Sequence, residues 1–279
     1  DPDADRLELV APRLGAGDTP RPLSGDALGL LFADLWLEAN ASVASTLLVS
    51  TVVSSPGLER LARARDARVE RTLTGFKWLC RPALADAGFL FAYEEALGYC
   101  FARRGASSVL DKDGLAALSV LLAFVERERA ASPELSPGEC VARRLARLAQ
   151  EVGLWVSVGH GMRFESIERA ATIVDELRRA LPAVLGGRRV LEVVDYAVGA
   201  EARPFYRGAQ SLLVFEVEGG FRLCVRPSGT EPKLKLYVHV VGELRAAEEY
   251  AALEATLTND ALAWAREVER QLLGLHSSR

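Results

Sequence analysis

Lysine is scarce in this chain. Only Lys77, Lys112, Lys233 and Lys235 appear among its 34 basic residues, and the rest are Arg. A GC-rich genome produces such a bias, so a position that keeps Lys points to a need for a compact, rotatable ammonium. Methionine is scarcer still: Met162 stands alone, and the chain opens on Asp1, so the expectation is a piece of a longer protein. The four cysteines, Cys80, Cys100, Cys140 and Cys224, are far apart and form no CxxC pair, which excludes a disulfide scaffold or zinc ribbon and reads as free thiols in a reducing cytoplasm. His160, His239 and His276 do not cluster, so they build no zinc site. No apolar run reaches the roughly 18 residues of a membrane helix. No secretory signal, internal repeat or low-complexity segment is visible. A net charge of -4 gives no general attraction to nucleic acid or an anionic membrane.

What remains is a globular balance, 49% hydrophobic and 26% charged over 279 residues, enough for two domains. Leu7–Val10 reads as a short strand. Ser24 caps a helix whose Leu28, Leu31, Phe32 and Leu35 share a face. Thr46–Val53 reads as a buried strand, and Ser55-Pro56 as N-cap and first residue of the next helix. Weaker strands are expected at Val69–Leu73 and Phe89–Tyr93. Asp113 caps a helix carrying Leu115, Leu118, Leu122 and Val125 at core spacing, and Ser136-Pro137-Gly138-Glu139 is a capping box. Strands alternating with helices imply an α/β domain with a largely parallel sheet over 24–150.

The second half has a different pattern. A helix over about 165–181 turns Ile167, Val174 and Leu177 inward. The run Val190–Val194 is followed by a hairpin, Leu212–Val217 and Phe221–Val225, turning at Gly219-Gly220. Leu234, Leu236, Val238 and Val240 alternate with polar residues, and a long helix closes the chain at about 246–273. This reads as a smaller α+β domain over 151–279, with an antiparallel sheet and helices on one face. Residues 1–23 stand apart as the tail of a preceding domain.

Five stretches carry chemistry. Asp1-Pro2-Asp3-Ala4-Asp5-Arg6 sets three carboxylates at alternate positions, able to converge on one hard cation. An EF-hand loop needs Gly sixth and Glu twelfth, and here Arg6 and Pro12 stand there. A solvated acidic turn accounts for the same residues. Arg226-Pro227-Ser228-Gly229-Thr230-Glu231-Pro232-Lys233 combines two cations, two hydroxyls and a glycine that lets backbone N–H groups converge, a donor set suited to a phosphate dianion. A polar turn between strands is the alternative, but a turn does not need two cations and two hydroxyls together. Tyr93-Glu94-Glu95-Ala96-Leu97-Gly98-Tyr99 places paired acids just after a strand, where α/β sheets bind ligands, and Glu94 suits neighbouring sugar hydroxyls, although taken alone the stretch reads as a charged loop. Thr74-Gly75-Phe76-Lys77-Trp78 and Asp111-Lys112-Asp113-Gly114 each put a Lys at or near a helix start.

In this order the five stretches closely resemble the α-D-phosphohexomutase superfamily of phosphoglucomutases and phosphomannomutases, from Asp1 to about Val241. "TGFKW", "EEALGY" and "LDKDG" look most like its phosphoglucomutase/phosphopentomutase-type branch. The resemblance implies four domains around a cleft, of which this chain holds the third, which reads the sugar, and the fourth, which anchors phosphate. It also implies that Asp1, Asp3 and Asp5 hold Mg²⁺ with Arg6 beside it, and that Lys112 and Arg6 serve catalysis. Glu94 would bind the sugar, with Thr74, Gly75, Lys77 and Ala96 in the same wall. Lys112 would reach the substrate's phosphate or reacting oxygen. Arg226, Ser228, Gly229, Thr230 and Lys233 would hold the distal phosphate of a glucose, mannose or pentose phosphate.

The implied reaction passes a phosphoryl group from a phosphoserine to the sugar phosphate. The bisphosphate then turns end for end and returns its other phosphate. The Ser-His-Asn-Pro-type loop that carries that serine is absent from the 279 residues. The chain by itself is therefore expected to be inactive and to depend on N-terminal domains of the same protein, in the cytoplasm. Ala96 stands where many relatives have a hydroxyl, which leaves the preferred sugar open. The competing expectations are a non-catalytic phosphosugar-binding protein and, from the Asp-rich start, a haloacid-dehalogenase-like phosphatase. The latter needs a strand leading into its nucleophilic Asp.

Overall fold

The computed structural model describes residues 2–15, 19–40, 45–102, 109–198 and 210–277. They divide into two compact units. One holds the residues up to Trp155 together with Glu243–Leu253, and the other holds Val156–Gly242 together with the residues from Glu254 on.

In the first unit a two-residue pair, β1 (Val10–Ala11) and β2 (Arg21–Pro22), precedes helix α1 (Gly25–Ala39). Then come β3 (Leu47–Thr51), α2 (Gly57–Ala64), β4 (Arg68–Thr72), the single turn α3 (Phe76–Leu79), β5 (Phe89–Glu94) and β6 (Gly98–Phe101). Helices α4 (Gly114–Ala131) and α5 (Pro137–Val152) follow. The sheet order is β4-β3-β5-β6. β3 runs parallel to both β4 and β5, and β6 is antiparallel to β5, so the sheet is mixed and largely parallel as the alternation implied.

β3 is buried at all five positions, the burial expected of a central parallel strand. One sheet face meets α1: Phe32 packs edge-on against Tyr99 at 4.8 Å and Phe101 at 5.7 Å. Gly29 lets the Tyr93 ring lie on that helix, since a β-carbon there would come within 2.4 Å of it. On the other face Leu47, Val49, Ala92 and Cys100 pack with Phe76, Leu79 and Cys80 of the α3 segment. The parallel strands end at Thr51, Thr72 and Glu94, so the Thr74–Trp78 and Glu94–Gly98 segments both leave the C-terminal edge of the sheet, where open α/β sheets bind ligands.

Ser24, Asp113 and Ser136 cap their helices as expected, and Ser136 with Glu139 forms the full capping box. Three local expectations change. The Leu7–Val10 segment is not a strand over its length: Leu7 N–H donates to the Leu97 carbonyl and Leu9 accepts from Leu23 N–H, so only Val10 reaches the ladder. Ser55 does not cap α2, whose N-cap is Pro56; its backbone N–H goes instead to Asp26 Oδ1 at 2.9 Å. On α4, Leu115, Leu118 and Leu122 are 68%, 38% and 58% exposed, and Gly114, Ala117, Leu121 and Phe124 face inward. The helix carries two apolar stripes, and packing on α1 and β6 selects the one with the small residues.

The second unit is built on a six-stranded sheet, ordered β7-β12-β11-β10-β9-β8. Its strands are β7 (Leu154–Arg163), β8 (Val184–Leu185), β9 (Arg188–Asp195), β10 (Leu213–Val217), β11 (Phe221–Pro227) and β12 (Lys233–Gly242). β8 to β12 pair antiparallel. The β10–β11 hairpin turns through Gly219 and Gly220 at φ +80° and +76°, the left-handed values such a turn needs. Leu234, Leu236, Val238 and Val240 are buried, as their alternation required. Helix α6 (Ile167–Arg179) is capped by Ser166 and contacts β11 and β12. Its Val174 and Leu177 face inward as expected, joined by Ala170 and Ile173, whereas Ile167 is 39% exposed. From α7 (Tyr250–Ser277), Trp264 packs on Phe221 at 5.2 Å and donates its indole N–H to the Leu185 carbonyl. Among the described residues no helix is long and apolar enough to cross a membrane.

Candidate functional site

In the first unit the acidic stretch folds onto the start of α4. A β-carbon at Gly114 would lie 2.7 Å from the carbonyl oxygens of both Ala4 and Arg6, so only glycine lets the two motifs touch. Ala4 takes φ +54°, a left-handed turn that costs about 1 kcal/mol or more outside glycine and reverses the backbone before Asp5. Arg6 then bridges to Gly98 in an isolated β-bridge, and Leu7 N–H donates to Leu97 O at 3.3 Å. The acidic loop, the start of α4 and the Glu94–Gly98 turn thus meet through close backbone contacts.

Lys112 is the centre of the arrangement. Its Nζ lies 3.1 Å from Asp5 Oδ2 and 3.3 Å from Asp111 Oδ1, and 5.1 Å above the Phe76 ring. Burial alone would lower its ammonium, but the hydrogen bonds to Asp5 and Asp111 carry it above the usual lysine value. Gly98 makes room for its stem: a β-carbon there would meet Phe76 at 2.7 Å and Lys112 Cδ at 2.8 Å. Glu94, at the end of β5, is half-buried in the same field. Burial raises its carboxyl above the usual range, and Asp5 and Asp111 push the same way against the opposing pull of Arg6 and Lys112. The structure therefore brings Asp5, Arg6, Glu94 and Lys112 together, with Phe76 as the link to the "TGFKW" segment.

The remaining expected residues of this unit sit around that group. Asp1 lies outside the described residues. Asp3 is exposed. Thr74 is half-buried, and Gly75 turns the chain at φ +106° with open space beside it. Lys77 is exposed, with its ammonium 5.8 Å from the Trp78 ring rather than in the Lys112 group. Ala96 is exposed at the turn tip, followed by Leu97 at φ +70°.

Sequence reasoning missed the polar layer behind this turn. Thr51 donates to Glu95 Oε2 at 3.0 Å and shares a 2.8 Å hydrogen bond with Ser54, while buried Asp26 accepts from Ser55 N–H and the Tyr93 hydroxyl. The signal was present as hydroxyls after a buried strand, Thr51, Ser54 and Ser55, but their partners Asp26, Tyr93 and Glu95 lie tens of residues away in sequence.

In the second unit Arg226 and Pro227 end β11, Lys233 opens β12, and the residues between form a tight loop. Ser228 N–H donates to Lys233 O at 2.8 Å, Lys233 N–H to Glu231 O at 2.7 Å, and Phe164 N–H to Pro232 O at 2.9 Å. Ser228 is only 5% exposed, and Thr230 N–H reaches its Oγ at 3.5 Å. Arg226 stands directly opposite Lys235 in the ladder, a like-charge pairing that an anion would offset. Gly229 lies outside the left-handed φ range and has nothing within 4 Å of its missing β-carbon, so the freedom it supplies is space for close approach. Among the described residues nothing accepts from the N–H groups of exposed Gly229 and Glu231. These two N–H groups of one loop are thus turned to where an anion could reach them.

Asp5 Oδ1 is a buried acceptor with no hydrogen-bond partner, and Arg6 Nε is 4.0 Å from it. An orphaned carboxylate oxygen of this kind fits a hard divalent cation. Among the described residues no cluster of three metal-ligating side chains forms, and the third acid of the stretch, Asp1, is not among them.

The mixed α/β unit followed by an antiparallel α+β unit, with these motifs at the sheet edge and in the β11–β12 loop, defines a chain of the α-D-phosphohexomutase class. The family model described as phosphoglucomutase/phosphomannomutase, alpha/beta/alpha domain III, matches residues 24–139, and the C-terminal domain model of the same family matches 168–257. The chain belongs to the phosphoglucomutase/phosphomannomutase family. Among its relatives, a probable phosphomannomutase of Haemophilus influenzae is 32% identical over 87% of this chain and 45% of its own length. The human phosphopentomutase is 31% identical over 86% of this chain and 41% of its own, and a Staphylococcus haemolyticus phosphoglucomutase is 29% identical over 85% and 43%. In fold, the chain is similar to a putative phosphomannomutase from Thermus thermophilus, with TM-score 0.55 and 18% identity over 92% of this chain and 45% of that one. It thus spans somewhat less than half the length of the relatives it matches.

Proposed function

We propose that this chain supplies the sugar-reading and phosphate-anchoring parts of a phosphosugar mutase. The whole protein interconverts a sugar 1-phosphate with its 6-phosphate, or a pentose 1-phosphate with its 5-phosphate, through a phosphoserine and a bisphosphate. The observation that carries this reading is the convergence of Asp5, Arg6, Lys112 and Glu94 at the C-terminal edge of a largely parallel sheet. Three roles follow from chemistry. Glu94 accepts hydrogen bonds from sugar hydroxyls, beside the wall made by Thr74, Gly75, Lys77 and Ala96. Lys112 and Arg6 supply positive charge where phosphoryl charge builds up, since such transfer rests on positioning and electrostatics. Arg226, Ser228, Gly229, Thr230 and Lys233 hold the distal phosphate through contacts that ignore most of the sugar, which lets the bisphosphate bind in either orientation.

Asp1, Asp3 and Asp5 would hold Mg²⁺, which when bound neutralises charge on the transferring group. Lys112 holds one Asp5 oxygen by an ion pair, leaving the orphaned one for such an ion. The phosphoserine belongs to a domain outside this sequence, so the chain by itself binds substrate without turnover. The test has two arms. Calorimetric titration with glucose 1-phosphate should give saturable binding that Arg226→Ala with Ser228→Ala abolishes; no binding overturns the phosphosugar reading. Assay of the chain with glucose 1-phosphate and Mg²⁺ should give no glucose 6-phosphate, and turnover above background overturns the assignment of catalysis to a missing domain.

A further inference from the structure

The Glu94–Gly98 turn carries two adjacent carboxylates that do opposite things. Glu94 faces Arg6 and Lys112, whereas Glu95 turns inward, where its Oε2 accepts the Thr51 hydroxyl at 3.0 Å. Thr51 is the last residue of β3 and is itself held by Ser54 at 2.8 Å. The backbone of the turn is clamped from the same side. A β-carbon at Gly25, the first residue of α1, would lie 2.0 Å from the Glu95 carbonyl oxygen, so glycine there lets helix and turn touch. Glu95 is therefore a side chain by which the turn grips the end of the central strand.

We propose that Glu95 is the positioning residue of the sugar-reading turn: its inward carboxyl, anchored on Thr51, fixes the backbone from which Glu94 projects. The proposal rests on the phosphosugar reading for what Glu94 does, but not for the anchor itself. Groups from four elements face the anchor. Asp26 comes from α1, Thr51 and Ser54 from the end of β3, and Glu94 from the turn; Arg71 of β4, paired with Glu59 of α2, reaches the carbonyls of Val52 and Ser54. Asp26 exerts the larger like-charge effect on Glu95, and its Oδ1 accepts from Ser55 N–H and the Tyr93 hydroxyl. Burial first, and then Asp26, raise the Glu95 carboxyl to about 7. Protonated, Glu95 sits against Asp26 without repulsion and keeps the Thr51 hydrogen bond. Ionised, it is repelled by Asp26 in a buried site, and the turn loosens.

The experiment reads the anchor directly, by backbone amide exchange of residues 95–98 corrected for its intrinsic pH dependence, and then reads the site by calorimetry with glucose 1-phosphate. Glu95→Ala should raise exchange in the turn by about tenfold, as loss of a part-buried hydrogen bond to a carboxyl implies, with α6 and β11 unchanged. Thr51→Val should do the same, and Thr51→Ser, which keeps the hydroxyl, should restore protection. In the unaltered chain protection should fall between about pH 5 and 7, and Glu95→Gln should hold its pH 5 protection throughout. Glucose 1-phosphate affinity should follow the same profiles, with inorganic phosphate controlling for the ligand's own ionisation. Exchange in Glu95→Ala within twofold of the unaltered chain, or a Glu95→Gln profile that still bends near pH 7, overturns the proposal. If the anchor behaves as expected but the unaltered chain does not bind glucose 1-phosphate, the phosphosugar reading falls and the anchor stands.

Discussion

Gly98 sets the position of a charge without having a side chain. The Lys112 stem crosses over it because a β-carbon would come 2.8 Å from Lys112 Cδ, with Phe76 as close on the other side. Gly98→Ala should therefore strain this packing by about 1–3 kcal/mol and push Lys112 off Asp5. Two readouts check it: a lower melting temperature, and a Lys112 ammonium whose titration midpoint moves down from its raised position as the Asp5 hydrogen bond is lost. An unchanged titration would mean that the Asp5 pair does not depend on this close approach. The motif residues were legible in sequence because their types and order are unusual. Their partners were not: nothing in "EEALGY" says which glutamate faces Lys112 and which faces Thr51, since adjacent residues at the end of a strand point to opposite sides.

Three helices of the first unit meet on one buried acid. Asp34 of α1 is 2% exposed and receives Arg65, from the end of α2, at 2.8 Å and Arg144, from α5, at 2.7 Å. Glu151 and Glu38 complete the network, paired with Arg65 and Arg144 respectively. Asp34→Ala leaves two arginines short of their buried partner and should cost about 3–5 kcal/mol, measured by urea unfolding. A loss below 1 kcal/mol would mean that water replaces the carboxylate without strain. Elements with strong local signals were readable: the Ser136–Glu139 capping box, the Asp113 cap and the Gly219-Gly220 hairpin all form. β7 was missed because Gly159, His160 and Gly161 interrupt its apolar pattern; the strand holds because Gly161 gives the Lys233 stem room and Phe164 bonds Pro232. The exposed leucines of α4 were misread for another reason. Spacing identifies an apolar stripe, but only the neighbouring sheet and helix decide which stripe is covered.

Across the molecule, several carboxyls respond to pH in opposite senses. Glu95 and Glu70 are raised, chiefly by burial, so each favours the fold below its ordinary value of 4.5 and loses that contribution as pH rises; for Glu95 the loss is complete through about 7. Glu151, lowered by its hydrogen bond to Arg65, contributes above the ordinary range, and this is lost as pH falls below it. Stability from urea unfolding should therefore decline from about pH 5 to 7, and Glu95→Gln should flatten most of that decline. A Glu95→Gln curve parallel to that of the unaltered chain would remove Glu95 as its source.

The order of five motifs, the α/β to α+β change and the family were determined by the sequence itself, because glycines, prolines and charged residues in fixed order are local signals that need no partner. Tertiary structure alone decided that Lys112 stands on Asp5, that Gly98 and Gly114 are contact points between motifs, and that one of two neighbouring glutamates faces Lys112 while the other accepts from Thr51. Each of these depends on segments tens of residues apart being brought within a few ångströms, and that distance is set by packing rather than by any residue type.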